Sequence, residues 1–256
     1  MNAFMKRWQL KNLAKDKLTG YYTGAVLLTF VYGLFMIGDY ALNSVLMCFS
    51  PQAEKPLLNI LLMEITPNGY LIGTAVSFLT SILFGMLQVG VALYYLNIAC
   101  GQPASLRDLF QAFRENPRKY LFLALISSLI RFFFQLPAFA CNFCYLTAPD
   151  NRWLILYYIC NLAGQVAMLP LLLSLMQSTR LLLDYPDISA FRALRSSLRL
   201  MKGHKMRYFL LSLSFLPLEL AATFTCGIGY LWLIPYQNMT YTLFYLELME
   251  KRPETE

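Results

Sequence analysis

Charge is scarce in this chain. Only 14% of its 256 residues are charged, where a soluble domain carries roughly 25%. So few charges would not cover the surface of a soluble protein of this length. That excludes a soluble enzyme, a disordered tail and a secreted disulfide scaffold. Histidine is almost missing, with His204 the single example. No His/Cys/Asp/Glu cluster has the spacing of metal ligands. No Gly-x-Ser-x-Gly and no phosphate-cradling glycine loop occurs, and no soluble stretch is large enough for an ATP site. We therefore expect no catalytic residue, no metal, no cofactor and no enzyme activity. The six cysteines do not form a framework either. Cys141 and Cys144 have redox or zinc spacing, but they lack a second pair and a nearby His. We read them as small buried apolar residues, with an outer-face disulfide among Cys48, Cys141, Cys144 and Cys226 left open. A small-residue cleavage site is also lacking, so the first apolar run reads as a retained span.

Long apolar runs are what the chain has in abundance. Hydrophobic residues make up 58% and mean hydropathy is +0.50. A helix crossing the hydrocarbon needs about 20 apolar residues. Runs at 21–47, 70–99, 120–145, 153–177 and 207–226 qualify. A sixth, 230–249, is weakened by Pro235, Gln237 and Asn238. Gly227-Ile228-Gly229 supplies the tight turn between the last two. The expected fold is all-α: one polytopic membrane domain, its six helices arranged as three hairpins. A strand barrel does not fit, because the runs are continuous rather than alternating.

Most of the 21 Lys and Arg fall on one side of this threading. They lie before span one, in the loops after spans two and four (Arg180 to Arg207), and in the tail. The opposite loops hold only Lys55 and Arg152. The positive-inside rule then places both termini in the cytoplasm. The net charge of +7 reads as a topology signal and not as a nucleic-acid site. The tail carboxylates Glu247, Glu250, Glu254 and Glu256 read as solvated charge.

Each odd-numbered span follows a basic helical segment: 3–18, 105–114 and 189–202. The second opens with a capping-box pattern at Ser105 and Asp108. Leu106, Leu109, Phe110 and Phe113 fall on one face, and Asn116-Pro117 stops it. In the third, Phe191, Leu194, Leu198 and Met201 form one stripe beside Arg192, Arg195, Arg199 and Lys202, and Gly203 ends it. These segments suit an interfacial helix whose cations, with Lys205, reach anionic lipid head groups. Packing against the protein's own helices is the alternative. Tyr21, Tyr120 and Tyr208 open the odd spans and are expected at the inner interface.

Arg131 and Glu219 stand at one offset, about 11 residues, past Tyr120 and Tyr208. Both are then ~16 Å deep, where a lone charge costs at least ~2.5–3.5 kcal/mol. We expect them to pair, or else each to be satisfied separately by water or backbone carbonyls, with Arg131 reaching Gln135. Gln88, Asn161 and Gln165 are deep enough to join them as a polar midplane group or to act as interhelical hydrogen-bond partners.

The last third also resembles a known family. The residues are Ser196-Ser-Leu-Arg-Leu-Met-Lys-Gly203-His-Lys-Met-Arg-Tyr-Phe209, running on to Phe215. They continue as Gly227-Ile-Gly-Tyr-Leu-Trp232-Leu-Ile-Pro235-Tyr236, then Thr240 and Phe244-Tyr245. Leu10-Lys-Asn-Leu-Ala14 and Leu18-Thr-Gly20 fit its opening. The chain is similar to a bacterial six-span family, domain of unknown function 975, and more distantly to membrane regions attached to glycerophosphodiesterases. An aromatic is usual shortly after Ser-Phe in that pattern, where this chain has Pro217 and Glu219. The resemblance implies a fold and a bacterial cytoplasmic membrane, and it transfers no catalytic residue. Two roles fit: transport or lipid handling through a polar midplane site, and a non-catalytic scaffold that docks partners through its basic cytoplasmic helices.

Overall fold

In lipid, a peptide group has only the chain itself to bond with, so long apolar runs become long helices. The computed structural model describes residues 4–48 and 65–251. Among these residues every regular element is helical. In order they are α1 (Arg7–Leu18), α2 (Tyr22–Cys48), α3 (Pro67–Ala99) and a 3-10 segment (Leu106–Phe110). Then come α4 (Gln111–Arg114), α5 (Pro117–Thr147), α6 (Asn151–Leu175) and α7 (Ser178–Asp184). The last four are α8 (Ala190–Leu200), α9 (Lys205–Leu213), α10 (Leu216–Phe224) and α11 (Tyr230–Glu250). Lys55, Arg252, Glu254 and Glu256 lie outside the described residues.

Among the described residues five helical stretches are long and apolar enough to cross a membrane. They are α2, α3, α5, Asn151–Asp184 (α6 running into α7), and Lys205–Phe224 (α9 with α10). The sixth expected span forms α11 over the expected residues but is not among them. Gln237, Asn238, Thr240, Thr242 and Glu247 lower its hydropathy, and the last three are buried inside the protein.

The chain divides into two compact units, and α2, α3, α5 and α6 each contribute to both. Unit one holds Met1–Tyr32, Met86–Leu123 and Leu171–Glu256. Here α1 packs on α11, burying Leu10, Ala14 and Leu18 at i, i+4 and i+8. Its cations are not all in solvent. The Lys11 ammonium sits 3.9 Å from the Phe215 ring centroid and donates to the Ser214 carbonyl at 2.8 Å. So α1 takes the alternative of packing on the protein itself. The 3-10 segment has the expected box, with Asp108 accepting from the Ser105 N–H at 3.1 Å. It lies close against α3: a Cβ on Gly90 would fall 2.2 Å from the Leu109 carbonyl oxygen. Asn116 closes α4 in the left-handed region (φ 50) just ahead of Pro117.

Span five is two helices. α9 ends at Leu213, and α10 begins with Pro217 in its first turn. Proline's missing N–H suits a helix start and not an interior. Arg180, read as a loop cation, is instead within α7 and buried. Glu247, read as tail charge, is also buried, because α11 docks its last turns inside the unit. Tyr120 and Tyr208 are likewise buried within the protein. Their rings pack against neighbours, as Tyr208 does on Phe244 at 5.3 Å.

Unit two holds Gly33–Gly85 and Ala124–Pro170. Small residues let its helices approach closely. A Cβ on Gly85 would lie 2.7 Å from that of Ala124, and one on Gly164 would lie 2.5 Å from the Phe134 carbonyl oxygen. Polar pairs cross between helices: Ser81 to Ser128 at 2.9 Å and Ser77 to Asn43 at 2.9 Å.

Candidate anion-binding site

The site is built where α8 turns into α9 in unit one. Ser189 caps α8 by accepting from the Arg192 N–H at 3.3 Å. Gly203 (φ +85) makes the turn after it. The buried face of α8 is Ala190, Ala193, Leu194 and Ser197. Ser197 donates to the Ser174 carbonyl at 2.6 Å, which fixes the helix to the end of α6. The expected apolar stripe is thereby split. Leu194 and Met201 go inward, while Phe191 (65% exposed) and Leu198 (40%) face out. Arg192, Arg195, Arg199 and Lys202 are exposed with them, and Lys205 is half-buried. The 3-10 and α4 segment repeats the arrangement. Leu109 is buried, while Leu106, Phe110 and Phe113 are exposed beside Arg107 and Arg114.

Behind the α8–α9 turn lies a charged cluster. Arg207 Nη2 donates to Glu247 Oε2 at 2.6 Å and to the Met5 carbonyl at 2.7 Å. The Met5 N–H donates to Glu247 Oε1. Lys251 Nζ is 3.7 Å from that same oxygen. These bonds pin the N-terminal residues across the cluster. The Phe4 ring receives Lys251 Nζ at 4.2 Å and the Arg207 guanidinium carbon at 4.6 Å. Its edge meets His204 at 4.9 Å. Burial, and then the Arg207 charge, hold the His204 imidazole below its ordinary pKa, with Glu247 opposing. Burial, then Arg7 and Lys15, lower that of Lys11.

A pocket of about 210 Å³ opens here. Phe4, Leu200 and Leu248 form its apolar wall, and Ser196, Arg199, Lys202, His204 and Lys251 its polar one. A wider groove of about 620 Å³ also shares Phe4 and is lined by Trp8, Lys11, Arg207 and Ser214 among others. Sequence reasoning found Arg199 and Lys202, and His204 as solvated or phosphate-facing, but missed Phe4, Ser196 and Lys251 as their neighbours. Nothing local signals that Phe4 and Met5 meet Glu247 and Lys251.

The expected midplane group is divided between the units. Arg131, Asn161 and Gln165 belong to unit two, while Gln88 and Glu219 belong to unit one. Gln88, Arg131 and Gln165 are exposed, and Asn161 and Glu219 half-buried. Asn161 donates to Gln135 Oε1 at 3.4 Å and accepts from Gln165 at 2.7 Å, an interhelical ladder. Gln237 satisfies Glu219, donating to its Oε1 at 2.7 Å. Arg180 is a further buried cation. Its guanidinium donates to Thr242 at 3.4 Å and to Gln177 at 3.3 Å. All six cysteines are free; Cys48 and Cys141 are buried as expected, and Cys100 and Cys226 are exposed. Among the described residues no group of His, Cys, Asp and Glu is placed to hold a metal.

Among the described residues five helices are long and apolar enough to cross a membrane, which fits a multi-pass helical membrane protein. The chain belongs to the family described as protein of unknown function (DUF975), whose model matches residues 4–252. No curated protein and no solved structure matches it.

Proposed function

We propose that this is a non-enzymatic, lipid-handling protein of a bacterial cytoplasmic membrane, engaging anionic head groups at the inner leaflet through α8 and the 3-10 and α4 segment. In this reading the chain crosses six times, with α11 as the sixth crossing, and both termini are cytoplasmic. It binds no nucleic acid. The Gln135–Asn161–Gln165 ladder serves as interhelical glue and not as a transport path.

The observation that carries this reading is the mixed exposed face of α8. A solvent-facing Phe or Leu forgoes ~1.5–3 kcal/mol of burial. Phe191 and Leu198 stand beside four exposed cations, so an apolar phase edged by phosphates satisfies both kinds of group. The 3-10 and α4 segment repeats the pattern with Phe110, Phe113, Arg107 and Arg114.

The same exposed Phe191 and Leu198 favour a second reading, a scaffold that docks a protein partner on α8. Native mass spectrometry of the purified full-length protein separates the two. On the lipid reading the wild type retains anionic lipid in preference to zwitterionic lipid, and the variant R192Q/R195Q/R199Q/K202Q loses that preference. Equal retention of both lipids by the wild type overturns the lipid reading and leaves the scaffold.

A further inference from the structure

We propose that the pocket between the α8–α9 turn and the end of α11 binds a phosphomonoester, the dianionic phosphate of a small ester or of a lipid head group. This deepens the lipid-handling reading, and it rests on that reading for the lipid source.

Three formal cations converge on the pocket from two elements: Arg199 and Lys202 from the end of α8 and its turn, and Lys251 just past α11. No carboxylate lines it among the described residues. Arg199 and Lys202 make no side-chain hydrogen bond or ion pair among those residues. Lys251 shares Glu247 at 3.7 Å, while Arg207 holds the same carboxylate at 2.6 Å. Glu247 is thus committed mainly to Arg207, and the surplus of positive charge stays on the pocket side. A guanidinium offers a planar pair of donors to phosphate oxygens. The Ser196 hydroxyl and the His204 ring add donors that carry no competing negative charge.

Size and wall chemistry narrow the ligand. Drug-sized ligands occupy roughly 300–1,000 Å³, and this pocket has about 210 Å³. A phosphate with a few carbons fits it. Phe4, Leu200 and Leu248 supply an apolar side for those carbons, and an apolar wall strengthens each charge contact by lowering the local dielectric. A dianion answers three cations better than the single charge of a phosphodiester does.

The test uses the full-length protein in nanodiscs. One set combines phosphatidylcholine with phosphatidic acid. A second combines it with phosphatidylglycerol, matched in total negative charge. Inorganic phosphate added to pure phosphatidylcholine discs is the free-phosphate arm. The readouts are lipid retention and thermal stabilisation. We expect the wild type to prefer phosphatidic acid, and R199Q/K202Q to lose about tenfold of that preference per cation removed. R152Q, which removes an exposed cation outside both the pocket and the α8 face, keeps it. Stabilisation by inorganic phosphate with the same residue dependence assigns the source to free phosphate; response to phosphatidic acid alone assigns it to lipid. The proposal is overturned if the wild type treats the two charge-matched lipids alike and ignores inorganic phosphate, or if R199Q/K202Q retains the preference. If general anionic-lipid retention fails while inorganic phosphate still stabilises through Arg199 and Lys202, the lipid-handling reading falls and the pocket stands.

Discussion

Arg207 and Glu247 meet at 2.6 Å with the carboxylate side chain fully buried. This pair ties the start of span five to the last turns of α11 and, through Met5, to the N-terminal residues. Breaking a buried pair from one side strands the other charge, at a cost of about 3–5 kcal/mol. Arg207 is partly exposed and Lys251 lies near, so we expect the lower end, about 3 kcal/mol, for Arg207→Gln. The double variant R207Q/E247Q should lose less than the sum of the two singles. Thermal melts of the four proteins measure this coupling, and strict additivity would contradict it.

Gly90 is the second test of packing. A methyl there meets the Leu109 backbone, which moves only if the whole 3-10 segment moves. Gly90→Ala should cost about 1–3 kcal/mol. Gly33, also helical, has open space around it, so Gly33→Ala should be neutral or stabilise by about 0.5–1 kcal/mol. Equal melting temperatures for the two variants would show that the segment is not seated on α3.

Arg180 is buried and held by two long, neutral hydrogen bonds, with no carboxylate at ion-pair distance among the described residues. A buried charge of this kind is often better replaced by an apolar side chain of similar volume. Arg180→Met should therefore raise stability by about 1–3 kcal/mol. A clear loss of stability would mean that the guanidinium has a partner not seen in the isolated chain.

His204 gives a pH dependence. The groups around it are Arg207, Glu247 and the Phe4 ring, with Arg199, Lys202 and Lys251 lining the same pocket. Its folded pKa lies below the ordinary value of 6.5, so the unfolded chain binds the proton more readily. Stability is complete above the unfolded pKa and falls as pH drops through 6.5 towards the folded value. The wild type should melt lower at about pH 5 than at pH 8, and His204→Gln should flatten that part of the profile. A profile unchanged by the substitution would contradict the assignment.

Much of this fold was legible because membrane helices are written locally. Apolar length gave the long helices, Ser105 with Asp108 gave a cap, and Gly203 and Gly227 gave the turns. Long-range packing was not legible. Met5 and Glu247 are separated by 242 positions, and no periodicity announces that contact. Charge was the weakest guide. Arg180 and Glu247 read as solvated because burial of a charge depends on partners brought by other helices. The phenylalanines on α8 and the 3-10 segment were found as stripes, but which way a stripe faces is decided by Ala193, Leu109 and Ser197, whose small or matching side chains fit the unit.

The threading bears most directly on the whole account, and the native cysteines report it. Cys100 follows α3 and Cys226 lies in the turn after α10, and both are exposed. Single-cysteine proteins retaining one or the other can be labelled in intact cells with a membrane-impermeant maleimide. Detergent-solubilised samples control for thiol reactivity. The account predicts labelling of Cys226 from outside and of Cys100 only after permeabilisation. Labelling of both from the same side would contradict the six-crossing topology and the inner-leaflet position of α8.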